Sequence, residues 1–354
     1  MNLSPAGGMV ERMQIPTGLI DALCGRRCAF AMYRLPGEKP VFCMAADGRT
    51  ESSPRGESGF VISTFEGESR FIPGEADYPV DAARFEQLPP ATPSTPPMTR
   101  DEYAGLFRRF KAPLLGNPPL LSKLVLARTA DIAVPDLSPA EAFRKACDLF
   151  DNTLTALFHT PQQGTWLFST PELLLEGTGQ CWHTMALAGT RLISESAWDD
   201  KNIREQRIVA DFIRDTVGRH ADTLVEEPTD NLQTGAIEHL CTRFHFNMEP
   251  RHLTALLQEL PPTPAVCGYP PIAARSFLHT SPDIRRSCYA GYFGPMSPHR
   301  SSLYVALRGM RLYPGVCRLY AGGGIMPDSE EENEWRETEQ KMQAMRRVID
   351  ACHP

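Results

Sequence analysis

Short runs of alternating or continuous apolar residues, bounded by Gly and Pro, recur along the chain. CAFAMYRL (28–35), KPVFCMA (39–45) and GFVISTF (59–65) have the length and punctuation of strands. The proline-rich stretch LPPATPSTPPM (88–98) then reads as an extended connector. Beyond it, Thr99-Arg100-Asp101-Glu102 is a capping-box pattern that predicts a helix through about Lys111. KLVLARTADIAV (123–134) predicts a strand, and Ser138-Pro139-Ala140-Glu141 opens a second helix with Pro at its first position. GTWLFST, PELLLEGTG and CWHTMALAGT (164–190) follow with short breaks and predict a three-stranded antiparallel meander. Ile203, Val209, Phe212, Ile213 and Val217 recur at helical spacing within 201–218. Residues 250–260 predict a short helix, and 301–325 a long hairpin turning at Tyr313-Pro314-Gly315. A last helix is expected to open at Ser329, with Glu332 completing a second capping box.

Strands in runs, with helices between the runs, predict an α+β fold rather than alternating βαβ units. The chain divides at the connector into a short strand-rich part, residues 1–98, and a larger core, residues 99–354.

Composition narrows the partners. The 354 residues carry 36 Lys and Arg against 43 Asp and Glu, a net charge of −7, which argues against nucleic acid or an anionic membrane surface. No run of about 18 apolar residues exists to span a membrane. The start, MNLSPAGGMVERMQIP, lacks a basic segment followed by an apolar one, so a cytoplasmic protein is expected. Of ten cysteines only Cys24 and Cys28 are close, and no second pair completes a zinc site; reduced thiols are expected.

Candidate chemistry lies in a few charged residues set in apolar surroundings. Lys123 begins an apolar strand; it is either a sheet-edge lysine or a pocket base. Glu172 precedes LLLEG and, if buried, could be kept protonated as an acid. Arg308 in YVALRGM is a third such charge. AGGGI (321–325) lacks the spacing of a nucleotide-binding loop but suits a turn whose amides approach a carboxylate. Glu334, Glu337 and Lys341 share one helix face, which is either solvated or part of a divalent-metal site. Glu330, Glu331 and Glu332 suit the dipole of the helix start.

The ordered series KLVLAR, TPELLLEG, ALAGTR, a helix with an internal Glu, PTPAVCGYP, YAGYFGP, VALR, AGGGI and EWRETEQK resembles the chorismate-binding enzymes. That family includes isochorismate, salicylate, anthranilate and aminodeoxychorismate synthases, and the resemblance covers about residues 120–350. It implies two packed antiparallel β-sheets flanked by helices, around a Mg²⁺-dependent site for chorismate. It places metal ligands at Glu205 and Glu337, with Glu334 beside them. Arg308, Lys341, Gly322 and Gly323 fall on carboxylate-binding positions, and Gly189, Thr190, His239, Ala265 and Tyr289 on other substrate-contact positions.

Within the family, water-using members carry Lys at position 123 as general base and Glu at 172 as general acid; both are present. Ala265 stands where amine-forming and lyase members usually have Thr. The resemblance therefore implies an isochorismate synthase, an isomerase, serving menaquinone supply ahead of siderophore or salicylate supply. A salicylate synthase and a non-catalytic protein keeping the fold are the alternatives. A monomer with no macromolecular partner is expected.

Three departures stand out. Pro261-Pro262-Thr263-Pro264-Ala265 replaces the frequent His-Pro-Thr-Pro-Ala. The usual glutamate before R-x-x-Y-A-G is missing, with Pro282-Asp283 in that region before Arg286. Arg214-Asp215-Thr216 replaces the Arg-Asn-Asp of amine-forming relatives, which agrees with a non-amine product.

Overall fold

The computed structural model describes residues 17–353 except 46, 55, 75–79, 117–118, 195–196 and 236. The N-terminal stretch on which the expectation of no export rested lies outside the described residues. In chain order the strands are β1 Phe30–Arg34, β2 Val41–Cys43, β3 Gly59–Ser63, β4 Ser69–Pro73, β5 Lys123–Ala133, β6 Leu154–Thr160, β7 Gly164–Thr170, β8 Leu173–Thr178, β9 Cys181–Leu192, β10 Thr223–Glu226, β11 Asp230–Thr234, β12 Ile237–Asn247, β13 Gly268–Tyr269, β14 Tyr292–Met296, β15 Arg300–Val305, β16 Gly309–Tyr313 and β17 Val316–Ile325. The helices are α1 Thr17–Leu23, α2 Arg100–Lys111, α3 Pro139–Leu149, α4 Asp200–Gly218, α5 Leu253–Glu259, α6 Pro271–Thr280 and α7 Glu331–Cys352.

Two antiparallel sheets hold all of these strands. One has eight strands in the order β13-β5-β17-β16-β7-β6-β1-β2; the other runs β10-β12-β9-β8-β15-β14-β3-β4, with β11 also on β12. Alternation along β7 shows how the layers form. Trp166 and Phe168 point into the core between the sheets, where Phe168 stacks against Phe158 and meets Phe293, while Leu167 faces the helices on the outer side. On that outer side α3 and α7 bury Phe143, Ala146, Met342, Met345 and Val348. A third apolar cluster seats α2 and α6 over the start of β5.

Most elements lie where the hydrophobic pattern puts them. The Thr99 capping box forms in full, with Thr99 Oγ1 accepting from Glu102 N–H and Glu102 accepting from Thr99 N–H. Four expectations need correction. The meander of 164–190 forms only in part: β8 and β9 pair as an antiparallel hairpin in one sheet, whereas β7 belongs to the other, and the chain changes sheets at Pro171-Glu172. The hairpin of 301–325 turns where expected, β16 pairing with β17 on either side of Pro314-Gly315, but its first strand is split: β15 pairs with β8 in the other sheet. Ala306, Leu307 and Arg308 make that crossing, with Arg308 at a left-handed φ of 52°. AGGGI is not a turn; it is the end of β17, paired residue for residue with Leu124–Arg128. Ser329 does not cap α7, since its hydroxyl accepts from Met326 N–H instead.

Candidate active site

The two sheet-changing segments come together at one cavity. Each delivers one charged residue, Glu172 from the first and Arg308 from the second. Irregular backbone is needed there because a residue inside a ladder is committed to one sheet face. A small cavity of about 60 Å³ lies between them, lined by Glu172, Gly189, Glu205, His239, Tyr289, Arg308 and Lys341 among others. Thr190, Ala265, Gly322 and Gly324 complete much of its wall. A second cavity of about 500 Å³ shares Thr190 with it and is bordered by Lys201, Glu334 and Glu337.

Lys123, at the first position of β5, is fully buried and is not an edge lysine, because β5 has β13 on one side and β17 on the other. Its Nζ lies 2.9 Å from Glu205 Oε1, at an angle too poor for a hydrogen bond. Glu205 comes from the second turn of α4. Both groups press on β17 at Gly324, where an added Cβ would stand 2.3 Å from Glu205 Oε1 and 2.8 Å from Lys123 Cε. At Gly323 it would stand 2.9 Å from Glu334 Oε2. Neighbouring strand residues face opposite sides, so Glu205 and Glu334 approach β17 from opposite faces. The glycines of AGGGI are therefore required by side chains that lie against the strand.

Lys201, one turn before Glu205 on α4, bridges the two acids. Its Nζ is 2.6 Å from Glu334 Oε1 and 3.9 Å from Glu205 Oε2. Burial alone would lower the Lys201 pKa, but Glu334, Glu205 and Glu337 outweigh it and raise it. The sequence reading missed this lysine, although its i, i+4 spacing to Glu205 is the pattern used for Glu337 and Lys341. Lys341 Nζ reaches Glu337 Oε1 at 2.6 Å and donates to Gly322 O at 2.9 Å. Burial alone would raise the Glu337 carboxyl; Lys341 and Lys201 outweigh it and hold it low.

Glu172 differs from these acids. It is buried without a direct ion pair among the described residues, and burial raises its pKa to about 8 against the pull of Lys123, Lys341 and Arg308. It is therefore a carboxylic acid at neutral pH. His239 takes a neutral form for a related reason. Burial, then Arg308, lowers its pKa to about 3. Arg308 Nη2 lies 2.7 Å from His239 Nε2, and an arginine only donates, so Nδ1 carries the ring proton and donates to Gly189 O at 2.8 Å. Both ring nitrogens are thus used within the protein, and the ring serves to aim Arg308. A His239→Leu protein should raise KM for a carboxylate substrate about tenfold, with a smaller change in kcat, by steady-state kinetics.

The missing glutamate before R-x-x-Y-A-G has a structural counterpart. Asp283 Oδ2 accepts from Ala127 N–H at 2.7 Å and from Arg286 Nη2 at 2.5 Å. The buried Arg286 also donates to Val266 O and Val125 O, tying the PTPAVCG segment to β5. Thr190 N–H donates to Asn202 Oδ1, which fastens the LAGT strand to α4.

The described residues contain no compact cluster of three or more metal-ligating side chains. Mg²⁺ does not need one, since it commonly takes one or two carboxylates plus water and ligand oxygens. Glu205 and Glu337 offer such oxygens beside the cavity, and Glu334 Oε2 is buried without a hydrogen-bond partner. The donor set is hard, anionic and all-oxygen, and it fits such a cation.

The sequence profile described as chorismate binding enzyme matches residues 117–350. The chain belongs to the chorismate-binding enzyme family. Among its relatives in the family, isochorismate synthase MenF of Escherichia coli K12 is 30% identical over 241 residues, covering 65% of this chain and 56% of that protein. Isochorismate synthase EntC of the same strain is 28% identical over 256 residues, covering 68% and 65%. The chain thus spans between about half and two-thirds of the length of these relatives. Among solved structures, MenF, the menaquinone-specific isochorismate synthase from Escherichia coli, superposes with a TM-score of 0.77 at 20% identity, covering 96% of this chain and 92% of that one. Anthranilate synthase component I from Streptococcus pneumoniae superposes at 0.65 with 14% identity, covering 97% and 95%. These likenesses establish the family fold, two packed antiparallel sheets flanked by helices, as expected. Among the described residues no helix is long and apolar enough to cross a membrane.

Proposed function

We propose that the protein is an isochorismate synthase, an isomerase that converts chorismate to isochorismate with Mg²⁺ as cofactor. The observation that carries this reading is one cavity lined by Glu172, a buried acid protonated at neutral pH, together with Arg308, Lys341 and Glu205, with the buried Lys123 directly behind Glu205 at 2.9 Å. The named activities of MenF and EntC point the same way, and menaquinone supply is the favoured role.

In this reading Arg308 and Lys341 hold the carboxylates of the substrate. Lys123, acting as the neutral amine, takes a proton from a water whose oxygen bonds to ring C2. The ring double bond shifts, the C4–O bond breaks, and Glu172 gives its proton to the departing hydroxyl, which leaves as water. One water enters and one leaves, so the product is an isomer. Glu205 and Glu337 would hold the Mg²⁺, which would bind the ring carboxylate and draw negative charge away from Lys123. Glu334, on the opposite face of β17 and tied to Lys201, is a supporting group that reaches the metal only indirectly.

Incubation of purified protein with chorismate and Mg²⁺ tests the proposal. Isochorismate without pyruvate is expected; pyruvate in equal amount with fluorescent salicylate would assign the lyase reaction instead. Because Glu172 must carry its proton in the free enzyme, kcat/KM should fall tenfold per pH unit above about pH 8, and this limb should vanish from the residual activity of a Glu172→Gln protein.

A further inference from the structure

The largest cavity described in the molecule is not the site above. It measures about 1050 Å³ and opens between α2, α6, the 282–287 segment and the ends of β16 and β17. Six arginines line it against three carboxylates, in a protein whose net charge is −7. Two of those carboxylates are engaged elsewhere, Glu102 in the Thr99 cap and Asp283 with Arg286. Arg318 pairs with Asp131. Among the described residues no carboxylate lies within ion-pair distance of Arg109, Arg275, Arg285 or Arg311.

Arg311 is the informative one. It stands directly across the ladder from Arg318, an arrangement that is unfavourable unless something anionic answers it. Asp131 answers Arg318, whereas among the described residues no carboxylate pairs with Arg311, which lies against the Trp166 and Tyr313 rings. The Arg311 guanidinium is held over the Tyr313 ring at 4.9 Å, and its Nε is buried without a hydrogen-bond partner. Phe65, Leu106 and Leu278 supply apolar wall beside it.

We propose that this cavity is a second binding site, for an organic di- or tricarboxylate with an apolar body, gripped through Arg311 and Arg285. Uncompensated arginines attract the anionic groups by charge and by paired hydrogen bonds, and the apolar wall favours a carbon skeleton over a bare inorganic anion. The volume is that of ordinary ligand clefts, about 300–1,000 Å³. Tyr320 lines both this cavity and the one beside Glu172, so the two sites share a wall.

Calorimetric titration of the full chain with benzene-1,3,5-tricarboxylate tests the proposal, with inorganic phosphate as a second probe. One bound tricarboxylate is expected, weakening as salt is raised, and phosphate should bind at least tenfold more weakly. An Arg308→Ala protein should bind the tricarboxylate as the wild type does. Arg311→Gln and the exposed Arg285→Ala should each weaken it about tenfold or more; the second keeps the test decisive if the first fails to fold. Absence of binding, unchanged binding in Arg285→Ala, loss of binding with Arg308→Ala, or equal binding of phosphate overturns the proposal. No turnover is involved, so the result is independent of the chorismate assay.

Discussion

Lys123→Ala and Glu172→Gln proteins are each expected to lose about 10²–10⁴-fold in kcat for isochorismate formation, with KM for chorismate changed little. The Gln variant is the cleaner of the two. It keeps the shape and burial of Glu172 at the Pro171-Glu172 sheet crossing but has no proton to give to the leaving hydroxyl. Its Mg²⁺ dependence should therefore match that of the wild type. Removing Lys123 takes away the base and also leaves Glu205 buried without its 2.9 Å partner. Stopped assays that quantify isochorismate by chromatography suffice, and wild-type rates in either variant would disprove the assigned acid and base.

Glu205→Ala should be the most damaging single change for stability. It strands the ammonium of Lys123 in a fully buried position, and breaking a buried ion pair from one side typically costs about 3–5 kcal/mol. It also removes one of the two proposed Mg²⁺ ligands. Urea unfolding should show the loss, and Mg²⁺ titration of the folded fraction should show no saturable effect. Adding Lys123→Met to Glu205→Ala removes both charges, and should recover most of the stability while leaving the protein inactive. If the double variant were as unstable as the single one, the ion pair would not be the source of the loss.

Much of this architecture was legible because local rules held. The Thr99 capping box, Pro139 at a helix start and the period of 201–218 all use side chains close in sequence, and each formed its element. The sheet crossings were not legible. PELLLEG and GTWLFST have the same alternation whether they pair with each other or pack face to face across the core, and hydrophobic pattern cannot tell these apart. Pro171 and the left-handed Arg308 mark the crossings only once both sheets are seen. Lys123 looked ordinary for a similar reason, since its meaning comes from Glu205, 82 positions away. Ser329 failed as a cap because its hydroxyl was already committed to Met326 N–H. The family resemblance grouped the residues around the cavity, but it did not supply Lys201 or the part Asp283 plays beside Arg286.

The cavity beside Glu172, at about 60 Å³, is narrow for a ring dicarboxylate. Thr190 borders both cavities and the Lys341–Glu337 pair has one member on each, so a substrate entering from the larger cavity must displace that pair. Association should therefore be an activated process, well below the about 10⁵–10⁷ M⁻¹s⁻¹ typical of unhindered encounters, and steeply dependent on temperature. Viscosity should matter little to it. The same barrier slows escape, so a bound isochorismate would return to chorismate more than once before leaving, and solvent ¹⁸O should appear in recovered chorismate to the extent that the water released from C4 exchanges with solvent before the return.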